Sequence, residues 1–250
     1  MKLSNYIGLK KKDIISFVGA GGKTTMIFKL AQELRQNNKV LVTTTTKIFF
    51  PLEDRYDFIS TDSKMLPNYI EMKENGIYIL GLGVNQENKI LGLSSKELDE
   101  LAPYFDYILI EADGAKKKQL KGWNDTEPVI YRKTTKTIGI IDIQAMKMEI
   151  NEDNVHRSKI FCELSGAVQG EAVRIEHLLK TVINPLGLFK AALGEKILYI
   201  NKVEKQSDII FAKSLAQEVN LYDKKLIDKV FWGSLKTGMY LKKQIGRAHV

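Results

Sequence analysis

The stretch from Asp13 to Thr44 restricts the fold more than any other part of the chain. It opens with a short apolar run ending in glycine, DIISFVG (Asp13–Gly19). After AGGKTT comes a segment, Lys23–Gln36, whose apolar residues Met26, Ile27, Leu30, Ala31 and Leu34 fall on one face at a 3.6-residue period. Asn37 and Asn38 end that helix, and KVLVTT (Lys39–Thr44) reads as a second strand of the fully buried kind. Strand, helix and strand within about 30 residues make a βαβ unit. The two strands therefore run parallel, joined by a right-handed crossover.

The corner itself, Gly19-Ala20-Gly21-Gly22-Lys23-Thr24-Thr25, carries the chemistry. The usual phosphate-loop pattern G-x-x-x-x-G-K-[ST] is not met, because Phe17 stands five residues before Gly22. A shorter form, G-x-x-G-K-T-T, is met. Glycines let the backbone curl until successive N–H groups face one anion, at the positive end of the following helix. Lys23 would neutralise the outer phosphates, and the Thr24 hydroxyl would take a position on Mg²⁺. Residues 19–25 are therefore expected to cradle the phosphates of ATP or GTP.

Further along, DYILI (Asp106–Ile110), TIGIIDI (Thr137–Ile143) and KILYIN (Lys196–Asn201) are apolar runs of the same buried type, and Val230–Gly233 reads as a last short strand. Ile77–Gly83 and Lys89–Leu93 flank VNQEN and read as a hairpin. Ser94, with Glu97 three residues on, caps a short helix. Further helices are expected at Arg174–Ile183, Pro185–Ala192 and Asp208–Val219. The fold class is α/β: one P-loop NTPase-like domain over residues 1–244, with a mainly parallel sheet flanked by helices.

Phosphoryl chemistry needs a metal and groups to orient it. DYILI delivers Glu111 at its C-terminal end, where doubly wound folds place their ligand chemistry. Glu111 is expected to hold Mg²⁺ through water, and Asp113 to orient the attacking water or touch a second metal. TTTTKIF (Thr43–Phe49) sets hydroxyls at another strand end, so Thr44 is a metal candidate and Lys47 a sensor of the terminal phosphate. LYINKVE places Asn201 and Lys202 after a strand as Asn-Lys-x-Glu, a variant of the Asn-Lys-x-Asp segment that reads guanine, with Glu204 one methylene longer than aspartate. ATP and GTP stay open. His156 could exchange protons near neutral pH and Arg157 could contact an anion. Cys162, in an apolar helix, reads as a core residue.

Composition narrows the setting. The formal charge is +8, yet the lysines are dispersed, KKK at Lys116–Lys118 included, without interleaved aromatics, so they read as a solvated surface rather than a nucleic-acid interface. One cysteine makes no internal disulfide, and neither an apolar run of about 18 residues nor a signal-peptide core is present, which together point to a cytoplasmic protein. The last six residues, IGRAHV (245–250), read like the translation of a sequencing-adapter oligonucleotide. They are expected to be a non-native tail beginning after Gln244.

With GAGGKTT, VTTTTKIF and YILIEADGAKKKQLKG in this order, the chain resembles the YqeC family over about Asp13 to Lys202. Glu127-Pro128-Val129-Ile130 and His156-Arg157 match the family as well, while Gln119 stands where proline is expected before Leu120-Lys121. The resemblance implies an accessory role in maturing the selenium-containing molybdenum cofactor of selenium-dependent hydroxylases, with such a hydroxylase or its cofactor as partner. It also implies substrate-side roles for Lys121, Glu127, His156 and Arg157. Two other functions use the same loop: a small-molecule kinase or Mur-like ligase, and a non-catalytic, nucleotide-gated chaperone of the hydroxylase.

Overall fold

The computed structural model describes residues 2–242 except Lys224. The suspected tail at 245–250 and the domain end at 244 lie outside the described residues.

A short helix α1 (Leu3–Ile7) precedes the expected βαβ unit of β1 (Ile14–Gly19), α2 (Lys23–Leu34) and β2 (Lys39–Thr44). Next come β3 (Lys47–Phe49), β4 (Phe58–Ser60), α3 (Leu66–Glu71), β5 (Gly76–Leu80), β6 (Lys89–Leu91), α4 (Ser95–Leu101) and β7 (Tyr107–Glu111). The second half holds β8 (Leu120–Lys121), β9 (Lys136–Asp142), β10 (Val155–His156), α5 (Ser158–Ser165), α6 (Ile175–Ile183), β11 (Glu195–Asn201), α7 (Gln206–Tyr222), β12 (Lys229–Ser234) and β13 (Met239–Lys242).

Among the described residues nine strands make one sheet in the order β13-β12-β11-β9-β1-β7-β2-β5-β4. Only β13, against β12, is antiparallel. Both faces are covered. Ile15, Phe17, Val40, Val42, Leu109 and Ile138 pack under α1 and α2. On the opposite face Ile14, Leu41, Ile108 and Ile110 pack with Leu98 and Leu101 of α4, and Val18, Ile141, Leu198 and Ile200 pack with α5, α6 and α7. A parallel sheet buried on two sides has no polar face to keep, which is why its strands read as unbroken apolar runs. The chain leaves β1 in one direction for β2 and later fills the other side with β9, β11 and β12. That reversal at β1 puts a crevice at the C-terminal strand ends, beside the glycine corner.

Three elements differ from the sequence reading. Ile77–Leu80 lies in the large sheet, parallel to β2 and β4, and the chain folds back only beyond Gly81, where Leu82 N donates to Leu91 O and Leu91 N to Gly83 O. There β6 pairs antiparallel with β3, forming a two-stranded flap beside the crevice. Pro185–Ala192 is a series of turns rather than a helix. Gly187 N donates to Asn184 O and Leu188 N to Thr181 O, which drops Leu188 and Phe189 onto Gly139 of β9, where a Cβ would lie 2.8 Å from Leu188 Cδ2 and 2.6 Å from Phe189 Cζ. Val230–Gly233 is extended as expected, but β13 follows it. The capping box at Ser94 is present, with Ser94 N donating to Glu97 at 2.9 Å.

Candidate functional site

A cavity of about 1110 Å³ opens along the C-terminal strand ends, walled by the glycine corner, the segments after β2, β7, β9, β11 and β12, and residues 156–157. Gly21, Gly22, Lys23, Thr24 and Thr25 line it, whereas Gly19 and Ala20 do not. Gly19 N donates to Asp113 Oδ2 at 3.0 Å and Ala20 N to Ile140 O at 3.2 Å, so these two residues anchor the loop rather than cradle a ligand. The N–H groups of Gly21 through Thr25 find no protein acceptor among the described residues. They are the unpaired donors of a helix start, turned into a polar cavity, and can receive an anion.

The glycines are required by contact as well as conformation. Gly21 (φ +80) would place a Cβ 2.3 Å from Asp142 Cβ, and Gly22 (φ +140) would place one 2.3 Å from Asn201 Nδ2. Asn201 Nδ2 in turn donates to Gly21 O at 2.7 Å, while Asn201 Oδ1 accepts from Tyr199 Oη and Leu235 N. The side chain expected to read a base is therefore consumed as a brace for the loop. Lys202 pairs with Asp142, and Glu204 accepts from Ser234 Oγ at 3.0 Å; both line the cavity.

Lys23 is folded onto its own loop. Its Nζ donates to Gly19 O at 2.6 Å, lies 3.1 Å from Asp113 Oδ1 and 4.0 Å from Glu111 Oε1, and is nearly buried. Burial alone would pull its pKa down, but the two carboxylates outweigh burial and hold the ammonium above its ordinary value. Thr24 Oγ1 donates to Glu111 Oε2 at 2.7 Å. Burial raises the Glu111 pKa above the usual carboxylate range, against the pull of Lys23 and the Thr24 hydroxyl. A hydroxyl and a carboxylate side by side at the loop are a hard-oxygen set that fits Mg²⁺. Among the described residues no three His, Cys, Asp or Glu side chains gather to hold an ion by themselves.

Thr44, expected on the metal, is instead fully buried, and its hydroxyl donates to Glu111 O at 2.7 Å. Thr43 and Thr45 bond Leu80 O and Val129 O in the same way. These hydroxyls tie backbone segments together, and of the four threonines Thr46 alone lines the cavity, followed there by Lys47, Ile48 and Phe49. Asp113 also departs from the expectation that it orients water. It is sealed from solvent and off the cavity wall, with Oδ2 accepting from Gly19 N, Trp123 Nε1 at 2.7 Å and Lys121 Nζ at 3.0 Å. Lys121, expected to meet substrate, is buried too, donating to Gly114 O and pairing with Glu127 at 2.9 Å. Glu127 then accepts from Arg157 Nη1 at 2.7 Å. Lys23, Asp113, Lys121, Glu127 and Arg157 thus form one file of alternating charge from the loop to the far cavity wall.

Lys47, Glu127, His156 and Arg157 all line the cavity. His156 does not titrate near neutrality: burial, with the cations Arg157, Lys121 and Lys116, holds its pKa at about 4, so the imidazole is neutral at pH 7. Cys162 packs partly buried against the core, and burial raises its thiol pKa. Sequence reasoning passed over Asp142, Trp123 and the cavity position of Lys116–Lys118. Asp142 ends β9 as Glu111 ends β7, so the same strand-end rule would have found it. No helix among the described residues is long and apolar enough to cross a membrane.

The order of the sheet, the helix-starting glycine corner at its switch point and the strand-end carboxylates define an α/β protein of P-loop NTPase-like fold. A family model described as YqeC protein matches residues 15–159, and the chain belongs to the YqeC family. It is 30% identical over 232 residues to "Uncharacterized protein YqeC" of Escherichia coli (strain K12), an alignment spanning 91% of this chain and 89% of that protein.

Proposed function

We propose that the chain is a Mg²⁺-dependent nucleotide-binding protein that hydrolyses ATP or GTP. Five consecutive unpaired N–H groups, Gly21 through Thr25, opening into the cavity beside Lys23 carry this reading. Thr24 and Glu111 would hold the metal, which when bound supplies positive charge to the phosphate oxygens. Lys23, already charged, would exchange its contacts with Gly19 O and Asp113 for a phosphate, while Asp113 holds the first loop N–H. Family membership supports the wider setting of this activity, maturation of the selenium-containing molybdenum cofactor of selenium-dependent hydroxylases, with the hydroxylase or its cofactor as partner.

Phosphate release from ATP and from GTP, with Mg²⁺, tests the reading in the wild type, Lys23→Ala and Glu111→Gln. Release from one nucleotide that is lost in both variants is the expected result. A cavity reaching well beyond the loop favours a second reading, a small-molecule kinase or ligase on the same loop. It predicts slow release from nucleotide alone and acceleration by the acceptor.

A further inference from the structure

The nucleotide reading, on which the following rests, uses only part of the cavity. Because the loop follows β1 in mid-sheet, the wall of this one cavity has a lobe over the strands on either side of β1. One lies over β9, β11 and β12 and is lined by Gln144, Asn201, Lys202, Glu204 and residues 234–236, a wall of mixed charge. The other lies over β2 and β7, beside the flap and β10, and is a wall of cations.

Not all of those cations are balanced. Lys89 pairs with Glu87, and Arg157 gives Nη1 to Glu127. Lys47, Lys116, Lys117 and Lys118 line the same lobe with no carboxylate at ion-pair distance among the described residues. Glu87, Glu127 and Glu111, the carboxylates of this part of the wall, already face Lys89, Arg157 and Lys23, so the ammonium groups of Lys47 and Lys116–Lys118 leave it net positive and able to attract an anion.

The backbone adds an independent sign. Lys116 (φ 48), Lys117 (φ 62) and Arg157 (φ 58) are all in the left-handed region. Glycine would relieve each position, yet a long cation stands at all three. Lys12 and Lys147 take the same conformation away from the cavity, but here three such residues of one charge share one wall, where backbone strain points to function. Phe49, 43% exposed, lies beneath the Lys117 and Lys89 ammonium groups, 4.4 and 4.8 Å from its ring centre, and offers an apolar surface beside them.

We propose that this lobe binds a second small molecule bearing a phosphate or pyrophosphate group, gripped by Lys116, Lys117 and Arg157 with Lys47 and Lys118 nearby.

Calorimetric titration with inorganic pyrophosphate tests this on the full chain, for the wild type, Lys23→Ala, and a double variant of Lys116→Gly and Lys117→Gly. Glycine at these two positions relieves strain, so the double variant is expected to melt no lower than the wild type. The expected result is pyrophosphate binding that survives Lys23→Ala and weakens about tenfold or more in the double glycine variant. Binding lost in Lys23→Ala and kept in the glycine variant would overturn the proposal, since the phosphate loop would then be the only anion site. So would absence of pyrophosphate binding by the wild type. Titrating Mg²⁺-nucleotide into the same samples separates the two readings: failure there removes the nucleotide reading, whereas nucleotide binding without pyrophosphate binding removes this one alone.

Discussion

Replacing Asp113 by asparagine tests whether the buried ion file holds the loop. The substitution keeps the shape and lets Oδ1 of the new amide accept from Gly19 N, Trp123 Nε1 and Lys121 Nζ as Asp113 Oδ2 does. It removes the charge that two buried ammonium groups share and turns an NH₂ toward Lys23 Nζ, which now sits 3.1 Å from a carboxylate oxygen. Both lysine side chains are almost wholly buried, so water screens little of the loss. Breaking a buried pair by removing one partner costs about 3–5 kcal/mol. Each kcal/mol shifts Tm by about 2–4 °C in a chain of this size, so Asp113→Asn is expected to melt about 6–20 °C below the wild type. Trp123→Phe deletes one hydrogen bond to the same carboxylate, worth about 1.5–3 kcal/mol, and should fall less. Adding Lys121→Met to Asp113→Asn removes one of the two buried ammonium groups that lost this carboxylate, with Arg157 still pairing Glu127, and should recover part of the loss. Calorimetric melting of the nucleotide-free protein reads all three. An Asp113→Asn melting point within about 2 °C of the wild type would refute the claim that this file carries stability.

Glu111→Gln should separate stability from function. Because burial raises the Glu111 pKa in the folded state, its stabilising protonation is complete below the unfolded carboxylate value and is lost as pH rises through the folded one. At pH 7 the glutamine variant is expected to melt at or above the wild type, while its apparent Mg²⁺ affinity, measured by metal titration of nucleotide binding, falls about 10–100-fold. Glu127 has the opposite sign. Burial opposes its ionisation, but hydrogen bonds from Arg157 and Lys121 hold its pKa at about 2, so its contribution is present above the ordinary carboxylate value near 4.5 and lost as pH falls toward 2. Urea midpoints at pH 5 and pH 3 should therefore differ less in Glu127→Gln than in the wild type. Gly22→Ala forces a Cβ against Asn201 at φ +140, and an overpacked, strained site of this kind costs about 1–3 kcal/mol. Its melting point should drop by several degrees, and isothermal titration should show nucleotide binding lost.

Much of this architecture is legible in the residues. A parallel sheet covered on both faces leaves continuous apolar runs, so β1, β2, β7, β9 and β11 announce themselves, and the 3.6-residue stripe of α2 does the same. What the residues do not carry is which way a polar side chain turns. Thr44, Asp113, Lys121 and Asn201 are the expected types at strand ends, but each is spent on a neighbour brought close by the fold: Glu111 O, Gly19 N, Glu127 and Gly21 O. The turns at residues 185–192 hide for a related reason. Leu188 and Phe189 read as part of an apolar helix, but they are apolar because Gly19 and Gly139 on the neighbouring strands β1 and β9 open a seat for Leu188, and Gly139 also makes room for Phe189. The run Lys116–Lys118 resembles any solvated lysine cluster until the left-handed backbone at two of its members folds it onto the cavity wall.

The most direct test of the central claim is equilibrium titration of the full chain with ATP and with GTP, with Mg²⁺ and with EDTA, for the wild type and Lys23→Ala. The account predicts that one nucleotide binds in a 1:1 complex that Mg²⁺ tightens and Lys23→Ala abolishes. Binding unchanged by Lys23→Ala, or no binding of either nucleotide by a folded wild type, would contradict it.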